Sequence, residues 1–225
     1  MTPDEAIAEQ LRLAPSVVAE TPADFAPRIA AGLDVAYLGD TGRLVAAVAC
    51  VDIESGQVID SALVTGTTDF PYVPGLFAYR ELPSLIQALA AVTTTPDVLV
   101  CDGHGLAHPR RFGLACHLGV TTGIPTIGVG KNSMGDHEPP ARQRGSWTAL
   151  IDGTDEVGRA LRTQDGVKPI FVSVGHRIDL DTATALVLRL SRKYRQPETT
   201  RAADQLCRQA LKVAESHPTE REQRL

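Results

Sequence analysis

Cysteine is scarce in this chain of 225 residues, and the four present, Cys50, Cys101, Cys116 and Cys207, form no CxxC pair. That spacing excludes a disulfide framework and a thiol-built zinc centre, and reduced, packed thiols are expected instead. None of the four has an activating neighbour in sequence, which argues against a catalytic thiol. An excess of positive charge is also missing. The 22 Lys and Arg against 27 Asp and Glu leave a formal charge of −5, so the total does not announce a nucleic-acid binder. Long hydrophobic runs are absent: the longest, Leu44 to Val51, falls far short of the roughly 20 residues a membrane-spanning helix needs. The opening Met1-Thr2-Pro3-Asp4-Glu5 is acidic rather than apolar, unlike a secretory signal, so a cytoplasmic location without a membrane partner is expected. No repeat or linker breaks the chain, which is read as one domain, 1–225, with a polar tail at 216–225.

What is present is the punctuation of an α/β protein. Thr2, Pro3 and Glu5 have the spacing of a helix start, and Ile7 and Leu11 would mark that helix's apolar face. Pro15 and the stretch from Pro22 to Pro27 end it in a loop. Strands are expected at 31–38, 43–53 and 57–65, joined by turns at 39–42 and Ser55-Gly56, which makes an antiparallel meander. A loop at 66–75 leads to a helix at 76–92 that Pro83 would restart or kink. A strand at 97–102, a helix at 110–122 and a strand at 125–130 then alternate, the signature of parallel strands with right-handed crossovers. Strands at 146–151, 157–162 and 169–174 follow a loop at 132–144, and helices at 179–194 and 198–214 come last. The expected fold is a mixed sheet, an antiparallel meander followed by parallel strands, flanked by helices.

The densest chemistry lies in Asp102-Gly103-His104-Gly105-Leu106-Ala107-His108-Pro109-Arg110, directly after the apolar run Val98-Leu99-Val100-Cys101. A carboxylate ending a central strand needs a partner, either a metal ion or a helix start that it caps. Asp34 stands in another apolar strand, where alternation puts it opposite Leu33 and Val35 and on one face with Ala36. If these two strands are neighbours, Asp34 and Asp102 lie side by side, which is the metal platform of the ribonuclease-H-like fold. With Glu81 they make an all-oxygen set suited to Mg²⁺, able to polarise a phosphate and activate water. Gly128-Val129-Gly130-Lys131 is not a phosphate loop, because Pro125 and Asn132 occupy positions that need Gly and Ser or Thr. His104 and His108 are not a zinc pair, because Gly105 and Pro109 break the helix that their spacing would require.

These segments together resemble the endonuclease V family, the deoxyinosine 3′-endonucleases of DNA repair, over about residues 28–210. The motifs are Gly32-Leu33-Asp34-Val35-Ala36-Tyr37, Pro71 through Glu81, Asp102 through Arg110, Pro125 through Lys131, Val172 through Arg177, and Pro197-Glu198-Thr199-Thr200-Arg201. The resemblance implies a ribonuclease-H-like fold and Mg²⁺-dependent hydrolysis of the second phosphodiester bond 3′ to the deaminated base, leaving 3′-hydroxyl and 5′-phosphate ends. Mn²⁺ would substitute for Mg²⁺. It puts metal ligation on Asp34, Asp102 and Glu81, and work at the scissile phosphate on His108 and Lys131. The wedge Pro71-Tyr72-Val73-Pro74 would fill the gap left by the flipped base, which Gly75, Gly103 and Gly105 would receive. Many relatives carry His where Asp204 stands. A basic groove is expected from Arg110, Arg111, Lys131, Arg142 and Arg144. The partner implied is DNA with deaminated bases, met by a monomer. An inosine-specific ribonuclease or another ribonuclease-H-like nuclease is the rival enzyme, and a non-cleaving protein that binds flipped bases is the rival outside enzymes.

Overall fold

The computed structural model describes residues 1–216, built on one eight-stranded mixed sheet. Strands β1 (Ile29–Tyr37), β2 (Arg43–Asp52) and β3 (Val58–Thr67) form the antiparallel meander. Helix α2 (Ala78–Ala91), β4 (Val98–Asp102), α3 (Leu114–Thr122) and β5 (Thr126–Gly130) follow, with β4 parallel to β1 and β5 parallel to β4. Then come β6 (Trp147–Asp152), β7 (Asp155–Leu161), β8 (Ile170–His176), α4 (Leu180–Leu190) and α5 (Glu198–Ser216). The strand order is β3-β2-β1-β4-β5-β8-β7-β6. Strand β8 runs antiparallel to β5, and the antiparallel pairs β6–β7 and β7–β8 make a second meander at the far edge.

Two layers of helix cover the sheet. On one face Leu33, Leu99 and Cys101 pack against Leu82, Leu85 and Ala88 of α2 and Leu114 and Leu118 of α3. On the other, Val100, Ile127, Val172 and Val174 meet Ala183, Leu186, Val187 and Leu190 of α4, while Val45, Ala47 and Ala49 meet Ala203 and Cys207 of α5. Strands buried on both faces read as continuous apolar runs, as β4 does. No described helix is long and apolar enough to cross a membrane.

Several boundaries differ from the sequence reading. Helix α1 (Pro3–Leu13) has the expected Thr2–Glu5 capping box, but it buries Ala6 and Gln10 rather than Ile7 and Leu11, and Leu11 is 58% exposed. The helix expected from 110 starts only at Leu114, because Arg111 sits at φ 54 and Gly113 packs on the backbone carbonyl of His104. Helix α2 runs unbroken through Pro83, held by its buried face of Leu82, Leu85 and Ala88. Helix α4 stops at Leu190 because Ser191 folds its hydroxyl back to Val187 O and Arg192 turns away to the carbonyls of Ile53 and Glu54. The tail proposed for 216–225 lies outside the described residues beyond Ser216.

Candidate active site

Strands β1 and β4 are parallel and in register at Leu33 and Cys101, so the next residues, Asp34 and Asp102, are neighbours where β4 ends. In open α/β sheets the carboxyl ends of parallel strands are the usual seat of a ligand. Asp34 lies on the face covered by α5, where its backbone carbonyl accepts from Cys207 Sγ at 3.4 Å. Its carboxyl is pushed up to about 7 by burial and by Asp102, with Lys131 opposing and Asp204 adding to the rise. Glu81 enters from the first turn of α2 and is 3% exposed; its Oε1 accepts from the Tyr37 hydroxyl at 3.0 Å. Burial pushes its carboxyl up to about 8, the Tyr37 bond opposes, and Asp34 and Asp102 add to the rise. Lys131, just past β5, forms a salt bridge to Asp102 Oδ2. Burial works against its charge, yet the bond to Asp102 and the fields of Asp34 and Asp204 outweigh that and raise its proton affinity.

Three acids thus share one local field at the junction of β1, β4 and α2. Two of them hold protons into the neutral range, first because burial disfavours the charged form and then because the neighbouring carboxylates repel. An all-oxygen donor set under such strain suits a hard divalent cation. Among the described residues no three His, Cys, Asp or Glu side chains close into a coordination cluster, since Asp102 points to Lys131 and Glu81 to Tyr37.

Beside the acids is a cavity of about 450 Å³. Its lining includes Tyr72 to Gly75 from one loop, Asp102, Gly103, His104 and His108 from another, and Lys131 and Gln10. Tyr72 is 75% exposed at its mouth. A second cavity, of about 400 Å³, shares Tyr72 and Phe77 with the first and is lined on its far side by Tyr37 and Arg80. Two expected base-contacting residues are not part of the first cavity's lining. Pro71 is exposed outside it, and Gly105 is buried, where a Cβ would come within 1.9 Å of Val174 O. Packing against β8 therefore accounts for glycine at 105.

His108 also lines the first cavity, and both of its ring nitrogens are engaged within the protein. It is 4% exposed, its Nδ1 accepts from the Arg110 amide at 3.2 Å, and its Nε2 lies 3.0 Å from Gly75 O. Burial and the Arg110 charge push it down to about 4, so it is a neutral brace between two loops. The expected basic groove is also dispersed: Arg111 pairs with Asp152 at 2.6 Å, Arg144 bonds the carbonyls of Leu188 and Ser191, and Arg110 turns to Gly75. Sequence reasoning missed Tyr37, which period-2 spacing along the Asp34 strand places on the α2 face, and Gln10, for which the sequence carries no signal.

Comparison with known proteins agrees with this geometry. The family model described as Endonuclease V matches residues 11–205. Endonuclease V of Nocardia farcinica is 54% identical over 213 residues, 95% of this chain and 94% of that one. The crystal structure of endonuclease V from Streptomyces avermitilis superposes with a TM-score of 0.90 at 53% identity, covering 95% of both chains. Endonuclease V (D234N) of Ciona intestinalis, solved with a 23mer DNA containing an inosine followed by a ribo-adenosine, gives a TM-score of 0.84 at 26% identity, covering 95% of this chain and 99% of that one. Aquifex aeolicus Argonaute, at 15% identity and a TM-score of 0.52 over 84% of this chain and 29% of that one, shares the ribonuclease-H-like fold alone.

Proposed function

Because the chain belongs to the endonuclease V family, we propose that it is a repair endonuclease that recognises deoxyinosine in DNA. It would hydrolyse the second phosphodiester bond 3′ to the lesion, leaving 3′-hydroxyl and 5′-phosphate ends. The observation that carries this reading is the gathering of Asp34, Glu81 and Asp102 beside a cavity of about 450 Å³ with an exposed tyrosine at its mouth. The inosine-containing DNA bound by the Ciona relative supports the same substrate class.

Tyr72, with Pro71 and Pro74 stiffening its loop, would enter the stack, and Gly75 and Gly103 would admit the extruded base. Unstacking a base costs a few kcal/mol, and an aromatic face offsets part of it. Asp34, Asp102 and Glu81 would hold Mg²⁺, or Mn²⁺ in its place; the bound ion supplies Lewis acidity at the scissile phosphate and lowers the pKa of water. Buried Glu81, kept in line by Tyr37, orients the attacking water. Lys131 balances the charge that develops on the phosphate oxygens, once its partner Asp102 is otherwise engaged. His108 acts at one remove, by fixing Gly75. Four buried free thiols suit a cytoplasmic protein, and we propose that it works there as a monomer. The ribo-adenosine after inosine in the Ciona ligand supports a second reading, in which inosine RNA is also cut.

The test is cleavage of an end-labelled duplex with a single deoxyinosine in Mg²⁺, beside the Asp34→Ala and Asp102→Ala proteins. A nick at the second bond 3′ to the lesion, lost in both variants, is expected. Tight binding without a nick in wild-type protein would reduce the protein to a recognition module. Cutting that ignores inosine would leave another ribonuclease-H-like nuclease.

A further inference from the structure

The carbonyl of Gly75, in the cavity wall, receives three donors at once. Gln10 Nε2 lies 3.0 Å away, His108 Nε2 3.0 Å and Arg110 Nη2 2.8 Å. Since His108 Nδ1 accepts from the Arg110 amide, its neutral ring carries the proton on Nε2 and donates it. The donors also brace one another. Arg110 Nε donates to Gln10 Oε1 at 2.6 Å, and Gln10 Nε2 donates a second time, to Phe112 O, at 3.0 Å. Gln10 is 1% exposed. A buried amide is destabilising unless its donors and acceptor are matched, and here each is.

This knot joins three separate pieces of chain: α1, the loop from Gly103 to Gly113, and the stretch 68–77 that carries Tyr72. That stretch has no strand or helix to set its position. Its first half is fixed elsewhere, by Arg80 Nη1 donating to Phe70 O at 2.5 Å and by Phe70 stacked on Tyr79 with ring centroids 5.5 Å apart. Its second half, the half that faces the cavity, is fixed at Gly75. Gly75 also has φ +80, a conformation that L side chains rarely adopt, so the turn needs glycine at this point.

We propose that Gln10 is a positioning residue for base recognition: by holding Gly75 against Arg110 and His108 it sets the gap between Tyr72–Gly75 and Gly103–His104. The N-terminal helix is then part of the lesion-reading apparatus, although the family match begins only at residue 11. The inference rests on the proposed deoxyinosine reading. Gln10 touches no carboxylate of the candidate metal site, so its loss acts on selection of the base rather than on the bond-breaking step.

The experiment uses the full chain with Mg²⁺ and two duplexes of equal length, one holding a single deoxyinosine and one undamaged. Affinity and cleavage are measured for wild type, Gln10→Ala and Gln10→Glu. The glutamate keeps an acceptor for Arg110 but turns a carboxylate toward the carbonyls of Gly75 and Phe112. Both variants are expected to bind the deoxyinosine duplex about tenfold more weakly and the undamaged duplex within about twofold of wild type, with kcat within about threefold. A role confined to folding would lower both affinities in parallel, and that result overturns the proposal, as does an unchanged preference in both variants. Should Gln10→Ala fail to fold, Gln10→Glu alone decides. A wild-type protein that does not prefer deoxyinosine would instead sink the functional reading, an outcome visible in the wild-type arm by itself.

Discussion

Replacing Glu81 with Gln isolates the electrostatic load of the candidate metal site. Glu81 is 3% exposed, and its carboxyl rises from 4.5 to about 8, through burial first and then through Asp34 and Asp102, against the Tyr37 bond. An acid raised on folding holds its proton more tightly in the native state. Its stabilisation is therefore complete below the unfolded value of 4.5 and is lost as the pH rises through about 8. Each pKa unit corresponds to about 1.4 kcal/mol, so Glu81 alone should cost the metal-free protein about 3 kcal/mol between about pH 5.5 and about pH 8.5. Asp34, raised to about 7, titrates with Glu81 and broadens the window without changing its sign. Glutamine has the same shape, can accept from Tyr37, and carries no charge to desolvate. Urea unfolding in EDTA at the two pH values is the assay. The wild type should show the loss, Glu81→Gln should keep only the part due to Asp34, and added Mg²⁺ at the higher pH should restore the wild type far more than the variant. Equal pH slopes in the two proteins, or equal rescue by Mg²⁺, would refute the reasoning.

Tyr72→Ala should leave the melting temperature within about 1 °C of wild type, because the side chain is 75% exposed, while slowing cleavage of deoxyinosine DNA by about tenfold or more; a rate unchanged under single-turnover conditions would remove Tyr72 from recognition. Gly103→Ala and Gly105→Ala separate lining from packing. A Cβ at 103 meets only Leu114 at 3.5 Å and beyond, so that variant should fold normally and lose activity, whereas a Cβ at 105 meets Val174 O at 1.9 Å and should destabilise by roughly 3 kcal/mol or more, both read by calorimetry beside the nicking assay. Lys131→Met should cut kcat by about a hundredfold with DNA affinity within about threefold, checked by single-turnover rates and fluorescence anisotropy. An affinity loss as large as the rate loss would make Lys131 a general phosphate contact.

The part of the site that the sequence makes legible is the part fixed by one strand and its immediate exit. Asp34 sits where alternation along β1 puts it, Asp102 and Lys131 follow the apolar runs of β4 and β5, and the first meander follows from short turns between apolar runs. The second meander was not legible. Strand spacing says that 146–176 contains three strands, but only the pairing of β8 with β5 decides that β8 runs antiparallel to the centre and that β7 and β6 alternate after it. Charge misled for a related reason. Arginines crowded in sequence fan out in space to satisfy carbonyls at chain turns, as Arg144 does at Leu188 and Ser191 and Arg192 at Ile53 and Glu54. A guanidinium offers five donors in a fixed fork, so an arginine near a bared carbonyl is more useful to the fold than to a distant phosphate.

The same contrast explains why the carboxylates can be found from sequence and their surroundings cannot. Chemistry at a strand end depends on neighbours in the chain, whereas the shape of the cavity depends on bonds such as Gln10 to Gly75 and Gln10 to Phe112, which join residues 65 and 102 positions apart. Ile7 and Leu11 match a helical stripe better than Ala6 and Gln10 do, yet the helix turns Gln10 inward, because the carbonyls of Gly75 and Phe112 and the Arg110 Nε all bond it there. Hydrophobic periodicity ranks helix faces by apolar transfer alone. Where a loop must be held open beside a reactive centre, buried hydrogen bonds outweigh that ranking, and a polar residue on an unexpected face then marks the place where the fold meets the function.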